Sequence, residues 1–291
     1  MTRGPSQGRP RTAAAQSAAA RAAGEEPALT QGAIGAKTAW LGQRIEWFAE
    51  IDSTNRRALA IAAQGAERGT AVIAEAQSAG RGRLGRTFFS PPRANLYVSF
   101  VLRPSGSAQT LGTLPLAAGV ALAECVAAEL GDPARVELKW PNDVLVDDKK
   151  VSGILLERAS ASGDAPVILG IGVNLNVDPA TFPDDFRARA SSLSALAGRR
   201  IDRARFAAAL FERLEGALDA HAAGGLEALR SRFDALFRMT GRRVRVADAA
   251  ERTREGVVLG VGADGSLRLG TYAGEERFLA GDVTVLKESV P

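Results

Sequence analysis

Cysteine and histidine are nearly missing from this sequence: 291 residues hold one cysteine, Cys125, and one histidine, His221. A lone cysteine excludes an internal disulfide framework. Without a Cys/His cluster a zinc centre has no ligand set, and one histidine at a polar helix end gives no recognisable nucleophilic triad. Cys125 lies in an Ala/Leu-rich helical pattern and reads as a reduced core thiol. No apolar run is read as long enough to cross a membrane. The expected location is the cytoplasm, with no membrane partner.

What is present is a globular composition. Hydrophobic residues make up 46% of the chain, enough for a sizeable core, and the length suits one large domain plus a small one. A net charge of +4 and a pI near 9.6 invite a nucleic-acid reading. The charge is unevenly placed, however. Residues 1–40 hold Arg3, Arg9, Arg11, Arg21 and Lys37 against Glu25 and Glu26, so +3 of the +4 sits there and residues 41–291 carry +1. The body therefore has no broad basic face. Residues 1–39 are Ala, Gly, Ser, Pro and Arg with almost no large apolar side chain, and read as a disordered tail. Their Arg-rich opening has the texture of a transit peptide but lacks the apolar core of a secretory signal.

The most informative stretch is Gly80-Arg81-Gly82-Arg83-Leu84-Gly85-Arg86. It follows a strand-like run, Thr70–Ala76, that leads into Gln77, and precedes Phe88-Phe89-Ser90-Pro91-Pro92. Glycines let the backbone bend and bring N–H groups close to a ligand. Three guanidiniums give a fixed positive charge suited to phosphate or carboxylate. The heptad reads as a mobile, anion-binding flap; it also reads as a solvated basic turn. Gly80, Gly82 and Gly85 match the G-x-G-x-x-G dinucleotide pattern, but prolines follow where that motif needs a helix. Gly260, Gly262 and Gly265 match it too, and there Asp264-Gly265 marks a hairpin turn.

Before the flap, Arg44–Ile51 reads as a strand and Asp52-Ser53-Thr54-Asn55 opens a helix over Arg56–Ala63. Ser53 or Thr54 suits an N-cap, and a helix N-terminus also presents N–H groups and hydroxyls to a polar ligand. Beyond it come a strand, Asn95–Leu102, and a long apolar helix, Leu111–Leu130. Lys139-Trp140-Pro141-Asn142-Asp143 then leads into a hairpin of Val144–Val146 and Val151–Glu157. Asn142 and Asp143 sit at a strand mouth. Lys150 reads either as a strand-terminus residue or as a positioned cation, and Gly153 permits close approach of a ligand. In the strand Val167–Asn176, Gly170, Gly172, Asn174 and Asn176 are poor strand formers, which suggests backbone lining a cavity. Helices follow over Ser191–Ala197, Arg203–Ala222 and Leu226–Phe237; the second repeats Phe206, Leu210, Leu214 and Leu218 at helical spacing. From residue 240 the texture changes to five short strands divided by glycine turns, a small barrel. The predicted organisation is a tail (1–39), a mixed helix–strand body (40–239) and a barrel (240–291).

Ser53-Thr54-Asn55, the Gly80–Arg86 heptad, Lys139-Trp140-Pro141-Asn142-Asp143, Lys150-x-x-Gly153-Ile154-Leu155 and Gly172-x-Asn174-x-Asn176 occur in the order seen in biotin protein ligases. The chain resembles their short bacterial form, because no helix-turn-helix is read before the body and no DNA binding is expected. The resemblance covers residues 40–288. It implies an α+β fold: a mixed β-sheet with helices on one side, like the class II aminoacyl-tRNA synthetases, plus a small C-terminal β-barrel. It implies that biotin and ATP, with Mg2+, form biotinyl-5′-adenylate, and that biotin then passes to a lysine of a biotin carboxyl carrier domain, as in acetyl-CoA carboxylase. A homodimer is compatible with it.

By the same resemblance Lys150, Arg83 and Asp143 are the catalytic set. Ser53, Thr54, Asn55, Gln77, Arg81, Gly82, Arg83, Lys150 and Gly153 bind biotin. Arg81, Arg86, Phe88, Asn142, Asn174 and Lys287 bind the nucleotide, with magnesium carried mainly by the ATP phosphates. Many members of the family have Trp where this chain has Phe88, which keeps a stacking face but lacks the indole N–H. A lipoate- or octanoate-transferring enzyme of the same fold, a biotin-sensing DNA-binding repressor and a catalytically silent ligand-binding module are the competing readings.

Overall fold

A computed structural model of the chain describes residues 27–104, 108–158, 160, 165–248 and 252–286. Most of the expected tail, residues 1–26, lies outside the described residues, and so does Lys287. Residues 27–39, read as part of that tail, are instead packed. Leu29 is fully buried and its N–H donates to Glu75 Oε1 at 2.9 Å. Ile34 is buried in the one-turn helix α1 (Gln31–Ile34). Backbone N–H groups of Lys37, Ala39, Trp40 and Leu41 donate to Glu212 and Glu215. Acids from a helix distant in sequence thus hold a segment that has few apolar anchors of its own.

The chain continues through β1 (Ile45–Phe48), α2 (Thr54–Ala63), β2 (Ala71–Ala74), β3 (Leu96–Leu102), α3 (Ala108–Leu130), β4 (Val136–Lys139), β5 (Asp143–Val146), β6 (Lys149–Arg158) and β7 (Val167–Val173). Then come α4 (Asp184–Arg187), α5 (Leu193–Ala197), α6 (Arg203–Gly224) and α7 (Arg230–Leu236), followed by β8 (Arg243–Ala247), β9 (Thr253–Val261), β10 (Leu267–Thr271), β11 (Gly274–Phe278) and β12 (Asp282–Val285). The first seven strands form one sheet in the order β1-β2-β3-β7-β6-β5-β4. It is mixed: β1 pairs with β2 in parallel and every other pairing is antiparallel.

Successive strand residues point to opposite faces, and each face has its own cover. Ala71, Ile73, Leu96, Val98 and Phe100 meet α3 and α6 in the main core. The helical repeat Phe206, Leu210, Leu214 and Leu218 is the buried stripe of α6. Val72, Val101 and Ile168, on the other face, lie under Ala58, Ile61 and Ala62 of α2. The two long helices therefore share one side, as expected, and the short α2 covers part of the opposite side. Contrary to the sequence reading, Leu111–Leu130 is long and apolar enough to cross a membrane; 72% of its apolar window is buried inside the protein, as a core helix. The stretch expected as one helix after Gly225 starts as a 3-10 turn, Gly225–Leu229, before α7, because Gly225 adopts φ 63° and ends α6 there.

The last five strands form an antiparallel sheet in the order β11-β10-β9-β8-β12. The edges β11 and β12 are not paired with each other among the described residues, so the expected barrel is open along one seam. Gly265, at φ 79°, makes the turn between β9 and β10. This sheet stands on the body. The buried Trp140 indole N–H donates to Gly265 O at 2.9 Å, and Arg242 forms a fork on Glu137 at 2.8 and 3.2 Å.

Candidate active site

Lys139 faces Asp143, Asp143 faces Gly153, Gly153 faces Gly172 and Gly172 faces Tyr97 across five neighbouring strands. Residues directly opposite share a face of the sheet, so this row projects on the α2 side. Two glycines in its middle leave a trough with no side chains of its own. A Cβ on Gly172 would lie 2.6 Å from the Phe88 ring, and one on Gly153 would lie 3.4 Å from Lys150 Nζ and 3.5 Å from the same ring. One row over, a Cβ on Gly170 would come 2.0 Å from Asn55 Oδ1. The glycines read as cavity-lining backbone do line this face.

Polar groups close one end of the trough. Ser53 stands at the N-cap position of α2 with extended backbone, but its hydroxyl makes no capping bond and is buried without a partner among the described residues. Thr54 N–H donates to Gln77 Oε1 at 2.8 Å, and Gln77 Nε2 donates to Ser90 Oγ at 3.0 Å. Asn55 Nδ2 donates to Glu157 at 2.8 Å. The buried Ser99 hydroxyl lies 2.8 Å from Thr54 Oγ1 and 2.6 Å from Asn55 Oδ1.

Cations flank the trough, and Arg81 shares Glu157 with Asn55 of the polar end. The flap turns back on itself: Gly82 N–H donates to Arg86 O at 2.7 Å, and Phe88 N–H to Gly80 O at 2.9 Å. Leu84 and Gly85 follow one another at φ 55° and 72°, a left-handed pair that makes the tip. Gly80 has no room for a side chain, since a Cβ there would lie 2.5 Å from Phe88 O. From this frame Arg81 reaches Glu157 at 2.9 Å, Arg83 reaches Asn142 Oδ1 at 3.1 Å and Gly281 O at 3.3 Å, and Arg86 pairs with Asp282. Lys150 Nζ lies 2.7 Å from Asp143 Oδ1. Burial lowers the pKa of the Arg83 guanidinium, partly offset by Asp282 and Asp143. A depression of about 350 Å3 beside the flap is lined by Arg56, Gly80, Arg81, Gly82, Arg86 and Thr87 among others.

Residues 47–174 match the family model described as the biotin/lipoate A/B protein ligase family. A biotin–[acetyl-CoA-carboxylase] ligase of Paracoccus denitrificans is 34% identical over 247 residues, covering 81% of this chain and 98% of that protein. The chain belongs to the biotin/lipoate A/B protein ligase family. The bifunctional ligase/repressor BirA of Bacillus subtilis is 33% identical over 251 residues, covering 86% of this chain and 76% of its own length. Among solved structures, the biotin protein ligase of Aquifex aeolicus in complex with biotin and ATP superposes with a TM-score of 0.72 at 29% identity, over 84% of this chain and 100% of that one.

Within this ligase-family fold most of the expected site residues converge. Ser53, Thr54, Asn55 and Gln77 form the polar end. Arg81, Gly82, Arg83, Arg86 and Phe88 come from the flap, and Asn142, Asp143, Lys150 and Gly153 from the β4–β6 hairpins. Asn174 does not join them: β7 ends at Val173, and the Asn174 side chain is 2% exposed and donates to Ser191 O at 3.2 Å. Trp140 points away to the second sheet. Ser99, Glu157, Ser90 and Asp282 were missed. Of these Glu157 carried a signal, an acid on the site face of an otherwise apolar stretch of β6.

Proposed function

We propose that this chain is an ATP-dependent biotin–protein ligase, which forms biotinyl-5′-adenylate and transfers biotin to a lysine of a carboxyl carrier domain. The observation that carries the reading is that three flap arginines and Lys150 surround one glycine-floored trough that also offers the buried, unpartnered Ser53 hydroxyl. That layout fits an acid with a polar head and an apolar chain. The buried Ser53 hydroxyl lacks a partner, at a cost of about 1–3 kcal/mol, and a ureido head would supply one. Thr54, Asn55 and Gln77 hold the rest of that head.

A carboxylate attacking an α-phosphate brings like charges together. At about 4 Å and an effective dielectric near 20 the repulsion is roughly 4 kcal/mol. Arg81, Arg83, Arg86 and Lys150 oppose it with fixed cations. In the free protein each is held by Glu157, Asn142, Asp282 or Asp143. Substrate anions take over those pairings, so the cations are oriented before the substrates arrive. Phe88, edge-on to Tyr97 at 6.2 Å, offers a ring to adenine as the flap closes. Asn142 holds Arg83 and Ile154 O and so fixes the mouth of the nucleotide site. Among the described residues no group of three His, Cys, Asp or Glu could cage a metal. Magnesium would be carried mainly by the ATP phosphates, with Asp143 the carboxylate that would help to hold it, and would supply charge neutralisation there.

We assign the catalytic unit to residues 40–239 together with the packed residues 27–39, and the C-terminal unit to 240–291. Labelled biotin should pass to a carrier domain only with ATP present. Pyrophosphate exchange driven by lipoate and not by biotin would replace this reading with the lipoate one.

A further inference from the structure

Lys139 ends β4 and stands directly opposite Asp143, in the row that runs on through Gly153 and Gly172. Its side chain therefore leaves the sheet on the face that carries Lys150 and Phe88. It is half-buried, yet no hydrogen bond or ion pair reaches it among the described residues. Every other cation of the site has an acceptor. Burial holds the Lys139 ammonium below the ordinary lysine range; Asp143 and Asp282 draw it up, Lys150 and Arg189 push it down. A cation drawn partly out of water with no contacting acceptor is unfavourable, and Asp143, opposite it, is already paired with Lys150.

The position says which anion. The Lys150–Asp143 pair lies between Lys139 and the glycine trough. Lys139 is one strand nearer the sheet edge, on the side where Arg83 meets Gly281 and Arg86 meets Asp282 of the second sheet. An acyl carboxylate in the trough reaches Lys150 first, and a polyphosphate extending away from it runs toward Lys139.

We propose that Lys139 binds the leaving pyrophosphate of the adenylation step. The inference rests on the ligase reading above. In that step a carboxylate oxygen bonds to the α-phosphorus of ATP, the bond from that phosphorus to the bridging oxygen breaks, and pyrophosphate departs with the electron pair. Lys139 transfers no proton. Its ammonium meets the charge that grows on the departing oxygens.

The test separates the two half-reactions in the full chain. ATP–pyrophosphate exchange with biotin reads the first; transfer from preformed biotinyl-5′-adenylate to a carrier domain reads the second. Lys139→Gln should lower exchange by about 10²-fold and raise the KM for ATP, while transfer from the preformed adenylate holds at the parent rate. Lys139→Arg should restore part of the exchange. Exchange by Lys139→Gln at the parent rate overturns the assignment. So does a parallel fall of both half-reactions, which marks a structural role. No exchange by the parent chain overturns the ligase reading and this assignment with it, whereas an active parent with an unaffected Lys139→Gln overturns the assignment alone.

Discussion

Lys150 is the second residue of β6, with its ammonium 2.7 Å from Asp143 Oδ1 and beside the open face of Gly153. Truncating it removes a charge without opening a cavity. Lys150→Ala should fold, with a Tm lowered by the buried Asp143 carboxylate it leaves unpaired, and form adenylate about 10²–10³ times more slowly. Pyrophosphate exchange beside a melting curve measures both, and exchange at the parent rate would take Lys150 out of the reaction. Gly170 acts through space: a Cβ there would sit 2.0 Å from Asn55 Oδ1. Asn55 cannot withdraw without losing Ser99 at 2.6 Å and Glu157 at 2.8 Å. One such hydrogen bond is worth about 1–1.5 kcal/mol, or roughly tenfold. Gly170→Ala should therefore raise the KM for biotin about tenfold and leave the KM for ATP unchanged; steady-state kinetics with an equal rise in both would refute the placement. Residues of this kind were legible because each breaks a local pattern. Glycine and asparagine interrupt an apolar strand at Gly170–Asn176, and lysine opens one at Lys150. Ser99 stayed hidden because one hydroxyl in Leu96–Leu102 says nothing until Thr54 and Asn55 are folded against it.

Elements show where pattern reading stops. The period of Phe206, Leu210, Leu214 and Leu218 located α6 because every repeat falls on the buried stripe. The segment over residues 27–39 was misread because its order comes from partners far along the chain. The fully buried Glu75–Arg203 pair, at 2.6 Å, also accepts from Leu29 N–H and donates to Pro27 O, and no local periodicity encodes it. The flap lies between these cases. Its glycines were readable, and its three arginines were, but their protein acceptors were not. Arg81 is 42% and Arg86 67% exposed in its ion pair, and such pairs contribute about 0–1 kcal/mol each. So the flap is held in place weakly and can open. Backbone amides of residues 80–92 should exchange within the mobile range in the free protein and slow markedly with biotin plus ATP. Hydrogen exchange showing equal protection in both states would contradict a flap that closes on its ligands.

The whole molecule couples the two sheets through one packed region, and its lone histidine lies there. His221, near the end of α6, is 2% exposed and holds Nε2 2.7 Å from Thr113 Oγ1 of α3. The second sheet stands on the same spot: a Cβ on Gly265 would meet Thr113 Cγ2 at 2.9 Å. Burial lowers the His221 pKa below its ordinary 6.5. The unfolded chain then takes up its imidazole proton near pH 6.5, while the folded chain stays neutral until the pH falls further. Below pH 6.5 the unfolded state binds more protons, so stability falls with pH down to the folded pKa, by up to about 1.36 kcal/mol per pH unit. Above that window the group gives no slope. Because the chain has one histidine, the effect belongs to a single residue. His221→Gln keeps an amide for Thr113 and removes the titration. Its Tm should be flat from neutrality to about pH 5, where carboxylates begin to protonate, while the parent's Tm declines over the same interval. Equal slopes in the two proteins would show that His221 takes up its proton alike in the folded and unfolded chain, and that the contact between α6, α3 and the second sheet does not exclude its charge.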